Sequence, residues 1–148
     1  MTLQRPVLLP PPCRRGFSLP ELLAVIAILG ILVAIGYPAY TEQLRQSRRA
    51  EGMGALLELA ARLEGFYADH GTYLGATLGH GASAVFPTVT VNGYYTLGID
   101  AQSATGYTVS ATPTRRTGQH RDRCGSFMLT SLGVRSVGNA AYYSRCWR

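Results

Sequence analysis

The sequence predicts an α+β fold in which a long N-terminal helix, its first half membrane-spanning, packs on an antiparallel β-sheet of about four strands. Three observations carry that expectation. The chain has no formal charge from Leu22 through Thr41. Apolar residues then recur at helical spacing as far as Tyr67. The C-terminal part breaks into short stretches rich in β-branched and aromatic residues, separated by turn formers.

Residues 1–16, "MTLQRPVLLPPPCRRG", hold four prolines and three arginines with no acid, and end in glycine. Such a composition resists regular structure, and its positive charge is that of a cytoplasmic segment. The uncharged run after it has the roughly twenty residues that about 30 Å of hydrocarbon requires. Tyr37, Pro38, Ala39 and Tyr40 follow its apolar core, so no good Ala-x-Ala cleavage site of an ordinary secretory signal is present. Basic residues at its start place the N-terminus in the cytoplasm and the remainder outside, a single-pass topology.

The helical pattern continues beyond the span. Met53, Leu56, Ala60, Leu63 and Tyr67 recur at alternating spacings of three and four, Leu57 widens the stripe, and Glu51, Glu58 and Arg62 fall elsewhere. Glu58 and Arg62 form an i, i+4 pair worth a few tenths of a kcal/mol. One helix is therefore expected from about Phe17 to about His70, with Gly71 as its C-cap. Residues 71–93 read as a glycine-rich connection. The stretches "YYTLGI" (94–99), "GYTVSATP" (106–113), "CGSFMLTS" (124–131) and "GVRSV" (133–137) read as antiparallel strands, with a tight turn at Leu132 and Gly133. The stripe from Met53 to Tyr67 is the natural cover for their apolar face.

Of 148 residues only 15% are charged, which is low for a purely soluble domain. Arg5, Arg14 and Arg15 are three of the fourteen basic residues, so a chain starting at Phe17 would carry 11 − 8 = +3 rather than +6. The absence of lysine fits nucleotide composition better than function. Cys13 precedes the span, whereas Cys124 and Cys146 lie near the C-terminus. If that part is exported, a Cys124–Cys146 bridge is the natural inference, with a chain-entropy contribution of about 3 kcal/mol. Zinc is the rival, but neither cysteine belongs to a closely spaced Cys/His cluster.

One acid, Glu21, sits at the head of the apolar run. An acid costs about 2.5 to 3.5 kcal/mol at a helix centre and less near an end, while the Leu, Ile and Val residues from Leu22 to Ile35 supply about −3 to −6 kcal/mol. Insertion therefore tolerates Glu21 without explaining it. The whole junction, "RRG" followed by "FSLPE", has Gly16, Phe17 and a glutamate at the fifth position after the glycine. It resembles the type IV pilins and related pseudopilins. The likeness extends through Gly30, Pro38, "PAY", "RRAEG", "GTY", "YYTL", "YTVSATP", "DRCGSFMLTSLGVRS" and the terminal "CW". It covers nearly the whole chain and is most like the PilE-type minor pilins. Pro20 departs from the apolar residue more usual there, but a proline in a first helical turn forfeits no intrahelical bond.

The resemblance implies a type IV pilin fold divided into a cleaved cytoplasmic leader (1–16), a transmembrane and fibre-core helix (17–41), the amphipathic half of the same helix (42–70), an αβ connecting loop (71–93), and the sheet with a disulfide-bounded C-terminal region (94–148). It implies cleavage between Gly16 and Phe17 by a prepilin peptidase that also methylates the Phe17 amine, and pairing of Glu21 with that amine in the fibre. An unpaired buried charge is costly, so the pair would penalise wrong axial registers. Glu21 read as a recognition determinant in the membrane is the alternative. Gly30, Gly36 and Pro38 either reflect the ordinary composition of membrane helices or, as the resemblance implies, allow local stretching when the subunit leaves the bilayer. The implied partners are the peptidase, other major and minor pilins, the inner-membrane assembly platform with its cytoplasmic ATPase, and membrane lipid before assembly. The implied localisation is the bacterial inner membrane and then the extracellular fibre.

The segment "RRTGQHRDRC" carries Arg115, Arg116, Arg121 and Arg123 with His120 and one acid, Asp122. A solvated loop is the plain reading, and DNA contact through phosphates is the functional one. Tyr94, Tyr95, Tyr107, Tyr142 and Tyr143 could stack bases, although sheet faces use the same residues. No catalytic constellation appears: His70, His80 and His120 are scattered, no paired carboxylates stand out, and no phosphate-binding glycine motif follows a strand. No cofactor and no metal are expected. The function expected is a structural pilus subunit serving adhesion, twitching motility or DNA uptake, with a type II secretion pseudopilin or a DNA-binding competence pilin as alternatives.

Overall fold

The computed structural model describes residues 17–147. The expected leader, with the glycine of its cleavage site, lies outside the described residues. The helix α1 spans Leu19–His70, and the chain divides into two compact units, the first ending at Ala39 and the second running from Tyr40.

In the first unit, residues 19–39 are helical and exposed throughout. Leu22, Ile26, Leu29, Val33 and their neighbours are exposed large apolar side chains. The most apolar window of α1 has a mean hydropathy of 2.5, and it is long and apolar enough to cross a membrane.

The second unit is the α+β body. After α1 come β1 (Thr77–Leu78), β2 (Ala84–Phe86), β3 (Tyr95–Gln102), β4 (Tyr107–Pro113), β5 (Phe127–Thr130), β6 (Arg135–Val137) and the short α2 (Tyr143–Cys146). Strands β3 to β6 form one antiparallel sheet in sequence order, with Leu97 opposite Ala111, Val109 opposite Leu129 and Phe127 opposite Val137. The period-two alternation sends Tyr95, Leu97, Tyr107, Val109, Phe127 and Leu129 to one buried face. Leu56, Leu59 and Leu63 of α1, all fully buried, complete that core. Each such leucine contributes about 1.5–3 kcal/mol by leaving water.

The helix face is the expected one shifted slightly: Leu56 and Leu63 are buried, and Met53 and Ala60 pack against the core. Leu59, absent from the expected stripe, is fully buried, whereas Leu57 and Tyr67 are 47% and 37% exposed. The true stripe is Arg49, Gly52, Leu56, Leu59 and Leu63, rotated because Gly52 lets Tyr95 lie against the helix backbone. A Cβ on Gly52 would sit 2.8 Å from the Tyr95 ring. Gly71, at φ 69°, ends α1 as expected, its N–H donating to the Tyr67 carbonyl at 2.7 Å. The 71–93 connection is not wholly irregular: β1 and β2 pair in parallel within it. Gly79 and Gly81, at φ 92° and 131°, permit the tight return. Gly133, at φ 76°, makes the expected β5–β6 turn.

Candidate nucleic-acid interface

The segment between β4 and β5 is tied down at both ends. Thr114 donates its N–H to the Tyr94 carbonyl at 2.9 Å and its hydroxyl to the Gly93 carbonyl at 2.7 Å. Cys124 is bonded to Cys146. Between these anchors Gly118, at φ 74°, turns the chain into a 3-10 turn over Gln119–Arg121. Arg48 reaches from α1 to donate to the Thr117 carbonyl at 3.2 Å, and its guanidinium stacks 4.7 Å from the Tyr94 ring centroid.

The centre of the anchor is Asp122. Its side chain is fully buried and accepts hydrogen bonds from Arg49 Nε at 2.7 Å and Arg49 Nη2 at 2.6 Å. Gln119 Nε2 donates to the same carboxylate at 2.9 Å, and the Cys124 N–H donates at 3.2 Å. Arg49 Nη2 also donates to Glu42 at 3.0 Å. This two-pronged guanidinium–carboxylate geometry is the strong form of charged hydrogen bond. The hydrogen bond to Asp122, ahead of the opposing cost of burial, raises the Arg49 pKa above its ordinary value. Gln119 Nε2 donates as well to the Tyr95 hydroxyl at 3.1 Å. Burial pushes that phenol up to about 12.

The consequence is electrostatic. The only acid of the segment is turned inward and neutralised, while Arg115, Arg116, Arg121, Arg123 and His120 all face solvent. The loop therefore presents four guanidiniums with no carboxylate of its own among them, on a backbone already fixed at four points.

The chain matches the family model described as type IV minor pilin ComP, DNA uptake sequence receptor, over residues 38–128. It belongs to that family. The model for the prokaryotic N-terminal methylation motif also matches this pilin, over residues 12–37. Fimbrial protein EcpC of Eikenella corrodens is 35% identical over 82 residues, covering 55% of the pilin and 50% of that protein. Type IV major fimbrial protein FimA of Dichelobacter nodosus is 42% identical over 50 residues, 34% of the pilin and 31% of that protein. The pilin thus spans half or less of the length of these relatives. The solved structure of the non-core minor pilin PilV of Neisseria meningitidis shares the fold, with a TM-score of 0.51 at 20% identity over 66% of this chain and 89% of that one. The pilin reading of the sequence stands over the pseudopilin alternative.

The remaining expected residues of the pilin are dispersed. Phe17 precedes α1 and is 80% exposed, and Glu21 lies in the first turn of α1. Gly30 and Gly36 are helical with open space around each, and Pro38 is inside α1. Two of the five tyrosines considered for base stacking are excluded from it: Tyr95 and Tyr107 are buried core residues. Tyr107 instead donates to Glu64 at 3.1 Å, beside Tyr73, which donates to the same carboxylate at 2.8 Å. Among the described residues no cluster of His, Cys, Asp and Glu is arranged to hold a metal.

The Arg49–Asp122 pair was missed by sequence reasoning, although a signal existed. Arg49 lies three residues before Gly52 and seven before Leu56, on the stripe that the helix buries. An arginine there requires a buried acid.

Proposed function

We propose that this chain is a type IV pilus subunit whose arginine loop binds double-stranded DNA at the fibre surface. The observation that carries the reading is the inward turn of Asp122, which leaves Arg115, Arg116, Arg121 and Arg123 uncompensated and exposed. The family's description as a DNA uptake sequence receptor supports it, since the matched residues include this loop. Each guanidinium can grip a phosphate through two N–H groups and release a condensed counterion. The pinned backbone means that little chain entropy is lost on binding. The work is capture without chemistry on the DNA.

The N-terminal part supplies placement. In this reading residues 17–41 hold the subunit in the inner membrane with its N-terminus cytoplasmic. A prepilin peptidase cuts between Gly16 and Phe17 and methylates the new amine, and Glu21 pairs with an amine as helices bundle. Gly30, Gly36 and Pro38 give the helix local freedom to leave the bilayer. Other pilins and an assembly platform driven by a cytoplasmic ATPase complete the fibre. A purely structural role is the second reading, favoured by the long exposed apolar face of residues 19–35. Cells carrying Arg115→Ala, Arg116→Ala, Arg121→Ala and Arg123→Ala together separate the two. DNA reception predicts normal surface pili and twitching with transformation reduced at least tenfold, whereas unchanged transformation leaves only the structural role.

A further inference from the structure

Arg123 and Arg145 sit beside the two ends of the Cys124–Cys146 bridge, and both are exposed. With Arg49, Glu42 and Tyr142 they line a cavity of about 90 Å³. Arg49, Arg145 and Cys146 also line a second cavity of about 190 Å³, together with Gln46 and Met53. The carboxylates here are already engaged. Asp122 is held by Arg49 and Gln119, and Glu42 by Arg49 at 3.0 Å and Arg45 at 3.6 Å. Arg123 and Arg145 have no acidic partner among the described residues. Four guanidiniums (Arg45, Arg49, Arg123, Arg145) thus face two carboxylates, and the excess positive charge borders the smaller cavity. That cavity equals the liquid share of about three waters at ~30 Å³ each, space for one phosphate head.

The position of these residues in the chain says which phosphate. Thr41 ends the uncharged run, and Glu42, which lines the smaller cavity, and Arg45 follow within four residues, about 6 Å of helical rise. The headgroup zone adds about 5 to 7 Å beyond each side of the hydrocarbon, and arginine stems reach back toward it. We propose that this cleft binds the phosphate of an anionic phospholipid while the subunit is in the membrane, with Arg123 and Arg145 gripping the head group. The inference rests on the reading that residues 17–41 span the inner membrane. It makes the subunit's departure from the bilayer sensitive to lipid charge, because the head group must be released first.

The test is native mass spectrometry of the full processed chain in detergent micelles doped with phosphatidylglycerol or phosphatidylcholine. Phosphatidylglycerol should be retained preferentially, and Arg123→Ala with Arg145→Ala should weaken it about 25-fold, taking about fivefold per arginine at an anionic surface. Arg115→Ala with Arg116→Ala should leave it unchanged. Trp147 fluorescence verifies that each variant keeps its fold beside the disulfide. Equal retention of the two lipids, or an unaffected double variant, overturns the proposal. Displacement by equimolar inorganic phosphate would make the cleft a general anion site and overturn the lipid assignment. A chain soluble without detergent fails the membrane reading itself, a result distinct from all of these.

Discussion

Removing the Asp122 carboxylate should do more damage than any other single change in the arginine loop. In the folded chain Asp122 is fully buried and Arg49 is 8% exposed, so Asp122→Ala leaves a guanidinium in the interior with one remaining partner. Breaking a buried pair from one side costs about 3–5 kcal/mol. Glu42 stays 3.0 Å from Arg49 but is 47% exposed, which places the expected loss near the lower end, about 3 kcal/mol. For a body of this size that lowers Tm by roughly 10–20 °C. Asp122→Asn keeps an acceptor for Arg49 and should cost less, about 2 kcal/mol. Trp147 is the only tryptophan and donates to the Ser136 carbonyl at 3.0 Å, so its fluorescence during urea or thermal unfolding of the detergent-held chain reports on this body. A double-mutant cycle with Arg49→Met and Asp122→Leu isolates the pair. Coupling below about 0.5 kcal/mol, or singles that cost under about 1 kcal/mol, would refute the claim that this pair fixes the loop.

Three further outcomes follow from the packing. Gly52→Ala puts a Cβ 2.8 Å from the Tyr95 ring and should destabilise by about 1–3 kcal/mol, whereas Gly54→Ala, in open space, should be neutral or stabilising by up to about 1 kcal/mol; unfolding midpoints of the same sign for both would contradict the packing. Tyr95→Phe loses the bond from Gln119 and should cost about 1 kcal/mol. Because burial raises the Tyr95 phenol from 10 to about 12, the folded chain keeps a proton that the unfolded chain releases; stability is intact below pH 10 and falls as pH climbs through 12, a decline that Tyr95→Phe should shrink in a pH series of unfolding midpoints. Replacing Cys124 and Cys146 with serine opens a loop of sequence separation 22 and should lower stability by about 3 kcal/mol in the same fluorescence assay.

The sheet was legible because its strands are short, alternating and punctuated. Tyr107, Val109 and Ala111 announce one face, and Gly133 announces its turn. The helix was legible in extent and in most of its buried face, Leu59, Leu57 and Tyr67 apart. Leu56 and Leu63 belong to both the expected and the true stripe, and only tertiary contact with Tyr95 at Gly52 chooses Leu59 over Leu57. Strands β1 and β2 were hidden because two- and three-residue pairings leave no period to read in a glycine-rich run. At the candidate interface the arginines were plain from composition. The role of Asp122 was not, since a lone acid among arginines reads as solvated until its partner 73 residues away is known.

The central claim, that the exposed arginines of the loop are phosphate contacts, is tested most directly by the salt dependence of duplex DNA binding to the detergent-held full chain. Four contacts predict a slope of log K against log salt near −3.6, taking about 0.9 per neutralised phosphate. Removing Arg115, Arg116, Arg121 and Arg123 one at a time should reduce it by about 1 each. A slope that the quadruple alanine variant leaves unchanged would contradict the account.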